Sequence, residues 1–437
     1  MKLVEGLNRV IEEHLVHFEM PGHKGRIEQD IYKYDVTEIA GTDNLTNPKD
    51  IILQTMELIS KTFGSYQSFI SVNGATGAIF GAMSTAFKPG DEIIMMRSSH
   101  ICVYDGAFLL GLRPKYTFSD GDLLEQLKEL VSDETKGVIL TSPSFYGEII
   151  GDEIFEWIVS KDLILVVDES HGSHLKLIDD ELSSMRYADI VVHSFHKTLP
   201  SMTQTAIMHL CSPRFSKSYA QKNLKLFQST SPSYVLMRSL DIATDIYISQ
   251  GKELMQELLS NCEEFKRDLE EKTDFRIIYQ EGKQDKTRLL IRHIHSVDYA
   301  HIDDELRKMG IQTEFQSQQG LLLMPSIMNI KEDFVRLLDA LQRVDILKKA
   351  RITYKVFRPE KAMEIRQAFL RPSQLCSYRE ALGRIVSEYV IPYPPGSPIL
   401  VPGEIMNEEL VDYLEDFRGN IVGLEKEGFV NVLLEEA

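Results

Sequence analysis

Residues Leu163–His174 read LILVVDESHGSH, and Asp189–Pro200 read DIVVHSFHKTLP. Each is a short aliphatic run that does not alternate with polar residues and ends abruptly in side chains able to do chemistry. Such runs are how strands buried on both faces read, and strands of that kind belong to parallel sheets covered by helices. Five more candidate strands are Phe69–Val72, Glu92–Met96, Lys115–Phe118, Gly137–Thr141 and Ala206–Leu210, and most of them are continuous β-branched or aliphatic runs too. Helical patterns lie between them, Ile51–Phe63 and Ala78–Phe87 among them. The fold class this predicts is α/β, with a mostly parallel sheet.

In an open α/β sheet the chemistry lies beyond the carboxyl ends of the strands. After the first quoted run comes Asp168, a carboxylate too costly to bury unless it meets a cation or a protonated nitrogen. After the second comes Ser194-Phe195-His196-Lys197. A lysine in apolar company there is a candidate for a depressed pKa and for Schiff-base chemistry. After Phe69–Val72 comes Asn73-Gly74-Ala75-Thr76-Gly77, which presents backbone N–H groups and the Thr76 hydroxyl at a helix start, a suitable cradle for a phosphate. Each feature has an ordinary reading alone: a helix cap, a solvated lysine, a turn kept small for close helix contact. Together they match what pyridoxal phosphate requires, namely a lysine to bond, an anion for its ring nitrogen and donors for its phosphate. Neither GxxxxGK[ST] nor GxGxxG occurs, which removes the usual warrant for nucleotide hydrolysis or dinucleotide binding.

Outward from this core, residues 1–45 read as an N-terminal arm, with an amphipathic helix over Glu5–Val16 and the turn-rich MPGHKG of Met20–Gly25. Residues 46–272 read as the large domain, closed by a long charged helical stretch, Ser239–Lys272. Residues 273–437 read as a smaller α+β domain, with strands over Phe275–Tyr279, Thr287–Arg292, Gly310–Phe315 and Leu321–Pro325. The 437 residues are 43% hydrophobic and 26% charged, ordinary values for a folded protein with a sizeable core. A net charge of −18 disfavours nucleic acid and anionic membranes as partners and favours a small cationic substrate. The four cysteines form no CxxC pair, and no signal-like or membrane-spanning stretch is present. A cytoplasmic location is expected.

The segments MPGHKG (Met20–Gly25), DVTEIAGTDNL (Asp35–Leu45), VNGATGA (Val72–Ala78), RSSH (Arg97–His100), TSPSFYGEI (Thr141–Ile149), DESHGSH (Asp168–His174), HSFHKTLPSMTQTA (His193–Ala206), QSTSPSY (Gln228–Tyr234) and YPPGSPILVPGE (Tyr393–Glu404) span nearly the whole chain. In this order they resemble the Orn/Lys/Arg decarboxylases of fold type I, in the short form found in many Gram-positive bacteria. The resemblance implies a large domain like that of aspartate aminotransferase, a smaller C-terminal domain, and a homodimer with active sites at the subunit interface. It implies that Lys197 holds pyridoxal 5′-phosphate, that Asp168 pairs with the ring nitrogen, that His100 stacks on the ring and that His171 sits near the phenolic oxygen. Gly74, Ala75, Thr76, Ser194 and His196 then surround the phosphate, while Thr141 and Ser142 line the cofactor. His23, in the first matched segment, is placed near the active site, and Asp43 and Glu404 are candidates for the substrate's distal cation. Where the family commonly has Asn-x-His-Lys-Ser, this chain has Ser98-Ser99-His100-Ile101-Cys102. The long N-terminal wing domain of the large members has no counterpart, so a dimer is expected rather than their higher oligomers.

The reaction implied is decarboxylation of a basic amino acid, arginine ahead of lysine or ornithine, to a polyamine-pathway amine and carbon dioxide. Lys197 or His171 would donate the proton to Cα. Transamination or aldol cleavage on the same fold is the alternative, with Arg292, Arg351 and Arg358 as candidate carboxylate anchors for a transaminase. A metal hydrolase using Asp168, His171 and His174 is a remoter one, from their D-x-x-H-x-x-H spacing. No metal is expected on the main reading.

Overall fold

All seven strand runs are strands: β1 (Gln67–Ser71), β2 (Glu92–Met96), β3 (Arg113–Thr117), β4 (Thr135–Thr141), β5 (Ile164–Asp168), β6 (Ile190–His193) and β7 (Ala206–Leu210). The computed structural model describes residues 1–13, 20–21, 24, 28–279, 282–349, 355–393, 397–417 and 420–434. The seven strands form one sheet in the order β1-β7-β6-β5-β4-β2-β3. Strands β1, β6 and β7 are buried along their whole length, as their unbroken aliphatic runs require. Edge strand β3 is only partly buried and carries Pro114, whose missing N–H an edge strand tolerates.

Strand β2 pairs in parallel with both β3 and β4, Ile94 lying opposite Lys115 and Val138. Strand β7 runs antiparallel to β1 and to β6, with Phe69 and Val192 both opposite Met208. The reversal follows from the short link Ser194–Thr205 between β6 and β7, which has no full crossover helix. Lys197 sits on that link. Helices Gly74–Ala86, Ile101–Leu110, Leu123–Leu130 and Asp152–Ser160 make the connections among β1 to β5.

The chain divides into two compact units, residues 1–85, 141–157 and 167–352, and residues 86–140, 158–166 and 353–437. The first contains a second sheet of antiparallel pairs in the order β10-β11-β9-β8, from β8 (Phe275–Ile278), β9 (Leu289–His293), β10 (Phe315–Ser317) and β11 (Gly320–Leu323). The strand expected over Gly310–Phe315 begins only at Phe315. Gly310 ends helix Tyr299–Lys308 with φ +80°, and Thr313 turns its hydroxyl to Asp303, leaving too little extended chain. In the second unit β12 (Ser373–Ser377) pairs with β15 (Phe429–Leu433), and β13 (Ile391–Tyr393) with β14 (Asn420–Val422). Cys376, Tyr378, Val386, Leu410, Val430 and Val432 belong to the apolar core beneath them.

Two helical expectations are revised. The N-terminal helix covers Lys2–Glu12, burying Leu3, Val4, Leu7 and Val10; Glu13 caps it, and residues 14–16 of the predicted Glu5–Val16 segment lie outside the described residues. The single stretch Ser239–Lys272 is two helices, Tyr234–Ser249 and Gly251–Lys272, broken at Gln250. Gly251 marks the reason: a Cβ there would stand 2.9 Å from Leu177 Cδ2, so the second helix starts against the residues that follow β5.

Candidate active site

The residues that end β1, β4, β5 and β6 carry most of the predicted site. Ser142 N–H donates to the Asp168 carbonyl at 3.1 Å, and Glu169 N–H to the Val192 carbonyl at 3.0 Å, so the ends of β4, β5 and β6 stay in register beyond the strands. Pleating then sends Asp168 and Glu169 to opposite faces. Glu169 turns inward, fully buried, and accepts from Ser183 Oγ at 2.8 Å and Ser184 N at 2.8 Å, with His193 Nε2 at 3.1 Å. Asp168 is buried too, and its Oδ1 accepts from the backbone N–H and hydroxyl of Ser170. Its Oδ2 accepts no hydrogen bond from the described residues. A carboxylate oxygen in that state, on a residue otherwise buried, suits a protonated nitrogen brought by a ligand.

Lys197 lies on the single turn Phe195–Thr198 after β6, and its Nζ meets His171 Nε2 at 3.0 Å. The His171 ring stands edge-on to Phe145, centroids 5.6 Å apart. This amine–imidazole contact brings together two predicted site residues that are 26 positions apart in the chain. Ser194 caps the same turn, with its Oγ 3.4 Å from His196 Nδ1. His196 Nδ1 also faces the Thr205 carbonyl at 3.1 Å. A carbonyl only accepts, so Nδ1 carries a proton. Burial lowers the His196 pKa from its usual value, with the nearby Lys197 charge adding to it and the Thr205 bond opposing it.

At the end of β1, Gly74 has φ +69°, and no atom lies within 4 Å of where its Cβ would stand. Gly74 N–H is taken by the Gln204 carbonyl at 2.9 Å and Gly77 N–H by Asn73 at 3.1 Å. The N–H groups of Ala75 and Thr76, in the first turn of helix Gly74–Ala86, have no intrahelical acceptor and can receive an anion. Gly77 is small for contact, since a Cβ there would stand 3.1 Å from the Phe227 carbonyl. Thr141 ends β4, and Ser142 Oγ accepts from Ile150 N at 3.2 Å.

The remaining predicted residues sit elsewhere. Asp43, at φ +65°, uses its carboxylate to accept from the backbone N–H groups of Lys49, Asp50 and Ile52, at 2.9, 2.8 and 3.0 Å. In the second unit, Glu404 forms a buried two-point pair with Arg97, at 2.7 and 2.8 Å, and Val401 N–H donates to it as well. Neither carboxylate presents an open oxygen pair to a cation. His100 caps helix Ile101–Leu110, its Nδ1 3.3 Å from Cys102 N and 3.1 Å from Cys102 Sγ, where the family pattern has a hydroxyl. His23 lies outside the described residues. His174 is turned into the protein, 3.0 Å from buried Asp285. Among the described residues no three His, Cys, Asp or Glu side chains, Asp168, His171 and His174 included, form a group able to hold a metal ion.

A family model described as Orn/Lys/Arg decarboxylase, major domain, matches residues 2–302, and the model of that family's C-terminal domain matches residues 348–426. The chain belongs to the Orn/Lys/Arg decarboxylase family. As a member it is a decarboxylase. It is 31% identical to the arginine decarboxylase of Bacillus subtilis (strain 168), over 98% of this chain and 95% of the relative. It is 26% identical to the arginine decarboxylase of Bacillus anthracis, over 91% of this chain and 89% of that one. Among solved structures, the lysine decarboxylase of Francisella novicida superposes with a TM-score of 0.86 at 17% identity, covering 99% of this chain and 81% of the other. That likeness shows the fold: a fold-type-I α/β sheet with a smaller C-terminal domain.

Two buried residues of this site carried no sequence signal. Asp285 and Arg288 lie under the loop that holds His171 and look, in sequence, like ordinary charges of a QDKTR turn.

Proposed function

We propose that this family member decarboxylates a basic amino acid, arginine first, using pyridoxal 5′-phosphate bound covalently to Lys197. The observation that carries the reading is the 3.0 Å contact of Lys197 Nζ with His171 Nε2, on the loop that begins with Asp168 and its unsatisfied Oδ2. The choice of arginine rests on the arginine decarboxylases matched over nearly their full length.

The residues fit the cofactor. Pyridoxal phosphate, when bound, supplies a ring that takes up the electron pair left as the bond between Cα and its carboxylate breaks. Asp168 would keep the ring nitrogen protonated through Oδ2, the oxygen that accepts no hydrogen bond from the described residues. The amides of Ala75 and Thr76 and the Ser194 hydroxyl would hold the phosphate. His196 donates to phosphate only as imidazolium, because its Nδ1 proton already goes to the Thr205 carbonyl. His100, whose Nδ1 contacts Cys102, would stack on the ring, and Thr141 and Ser142 would line the cofactor. Lys197 and His171 share a proton across their contact, and one of them returns it to Cα. Asp43 and Glu404, the sequence candidates for the substrate's distal cation, are instead taken up by backbone N–H groups and by Arg97. We assign the homodimer, the cytoplasmic location, the arm at 1–45 and domains at 46–272 and 273–437 to the same proposal.

Transamination is disfavoured by two of its three candidate anchors, the third, Arg351, lying outside the described residues. Arg292 Nε is given to the Gln319 carbonyl at 2.8 Å, and Arg358 pairs with Asp120. Incubation with arginine, lysine and ornithine in turn tests the reading. Carbon dioxide and agmatine from arginine, with no keto acid required, is the expected result. Turnover that needs a keto acid and releases no carbon dioxide would overturn it.

A further inference from the structure

Asp285 and Arg288 take no part in the reaction described above, yet they are 0% and 1% exposed. Burying two charges is far costlier than burying apolar side chains of the same size, unless their hydrogen bonds are well placed. Here they are. Thr287 donates to Asp285 Oδ1 from its backbone N–H at 2.9 Å and its hydroxyl at 2.7 Å. His174 Nε2 stands 3.0 Å from Asp285 Oδ2. Burial opposes ionisation of Asp285, but the adjacent charges of His174 and Arg288 outweigh it and hold the carboxyl well below its usual range. Arg288 Nη1 donates to Thr287 Oγ1 at 3.3 Å and lies 3.6 Å from Asp285 Oδ2. Its Nη2 reaches the backbone carbonyl of His171 at 3.1 Å.

One buried pair therefore grips both ends of His171–His174: the carbonyl of the first residue and the ring of the last. Between them Gly172 leaves no slack, since a Cβ there would stand 2.5 Å from Glu169 Cγ and 2.9 Å from Pro143 Cδ. Phe145 closes the side of the His171 ring and is itself backed by Phe315, at 5.8 Å.

We propose that Arg288 and Asp285 are positioning residues that fix His171 at Lys197 Nζ. The inference rests on the reading of Lys197 and His171 as the proton-carrying pair. The double variant Arg288→Met/Asp285→Leu removes both charges of the pair together, so that neither is left buried without the other. Expected of the folded, cofactor-loaded variant is a kcat about a hundredfold lower, the cost of a displaced catalytic group, at unchanged KM. The His171 signals in spectra of protein labelled with 15N-histidine should also shift. A loss of stability alone would move neither. Arg288→Lys, which keeps the charge but cannot span Thr287 and the His171 carbonyl together, should show the same loss, and it decides the matter if the double variant does not fold. Wild-type kcat with unshifted His171 signals, in whichever variant folds, would overturn the positioning role. Full turnover in Lys197→Ala would instead overturn the reading beneath it.

Discussion

A lysine at a strand end is informative only by what stands opposite it. Lys197 is exposed and, judged by its type, could be any surface lysine. Contact with His171 at 3.0 Å gives it a partner that can take or return a proton near neutral pH. Borohydride reduction of the purified, cofactor-loaded protein followed by peptide mapping should place the pyridoxyl label on Lys197, and Lys197→Ala should carry none. A label on another lysine would sink the assignment. Other residues named from the sequence turn out to hold the fold locally. Asp43 caps the chain entering helix Ile51–Phe63, and Glu404 is locked to Arg97. A carboxylate's type was legible in each case; the group it faces was not.

Among the elements, the turn before Glu404 is tightly constrained. Gly403 has φ +96°, donates to the Val386 carbonyl at 2.9 Å and accepts from Ala362 N–H at 2.8 Å. A Cβ there would stand 2.4 Å from the Met363 carbonyl oxygen. Gly403→Ala therefore meets both a left-handed backbone, about 1–2 kcal/mol against an L-residue, and a backbone atom that cannot step aside. Thermal unfolding should begin at a lower temperature than in the wild type. An unchanged midpoint would show that the turn relaxes at no cost. The helix break at Gln250 follows the same logic. A helical pattern ran unbroken through Ser239–Lys272, and contact of Gly251 with Leu177, far away in sequence, divided it.

Over the whole molecule, a net charge of −18 surrounds the site with a field that attracts a cationic amino acid. Raising the ionic strength from about 0.01 to about 1 M shortens the screening length from about 30 to about 3 Å. The kcat/KM for arginine should fall across that range while kcat changes little. A flat profile would mean that local contacts alone recruit the substrate. Among the described residues no helix is long and apolar enough to cross a membrane. The fold class was legible at this scale because most of the seven strands announce themselves locally by an aliphatic run, whatever their neighbours are, with edge strand β3 the exception.

By itself, the sequence determined the strands, the strand-end positions of Asp168 and Lys197, and the family, because these depend on side chains a few positions apart or on segments recurring in a fixed order. Only the tertiary structure decided which charges are buried and whom they meet. Arg97 finds Glu404 across 307 positions, and Arg288 finds the His171 carbonyl across 117. Nothing in the composition of either segment marks those pairs. Desolvation and pairing are properties of the folded surroundings, so a buried positioning arginine and a solvated one are written with the same letter.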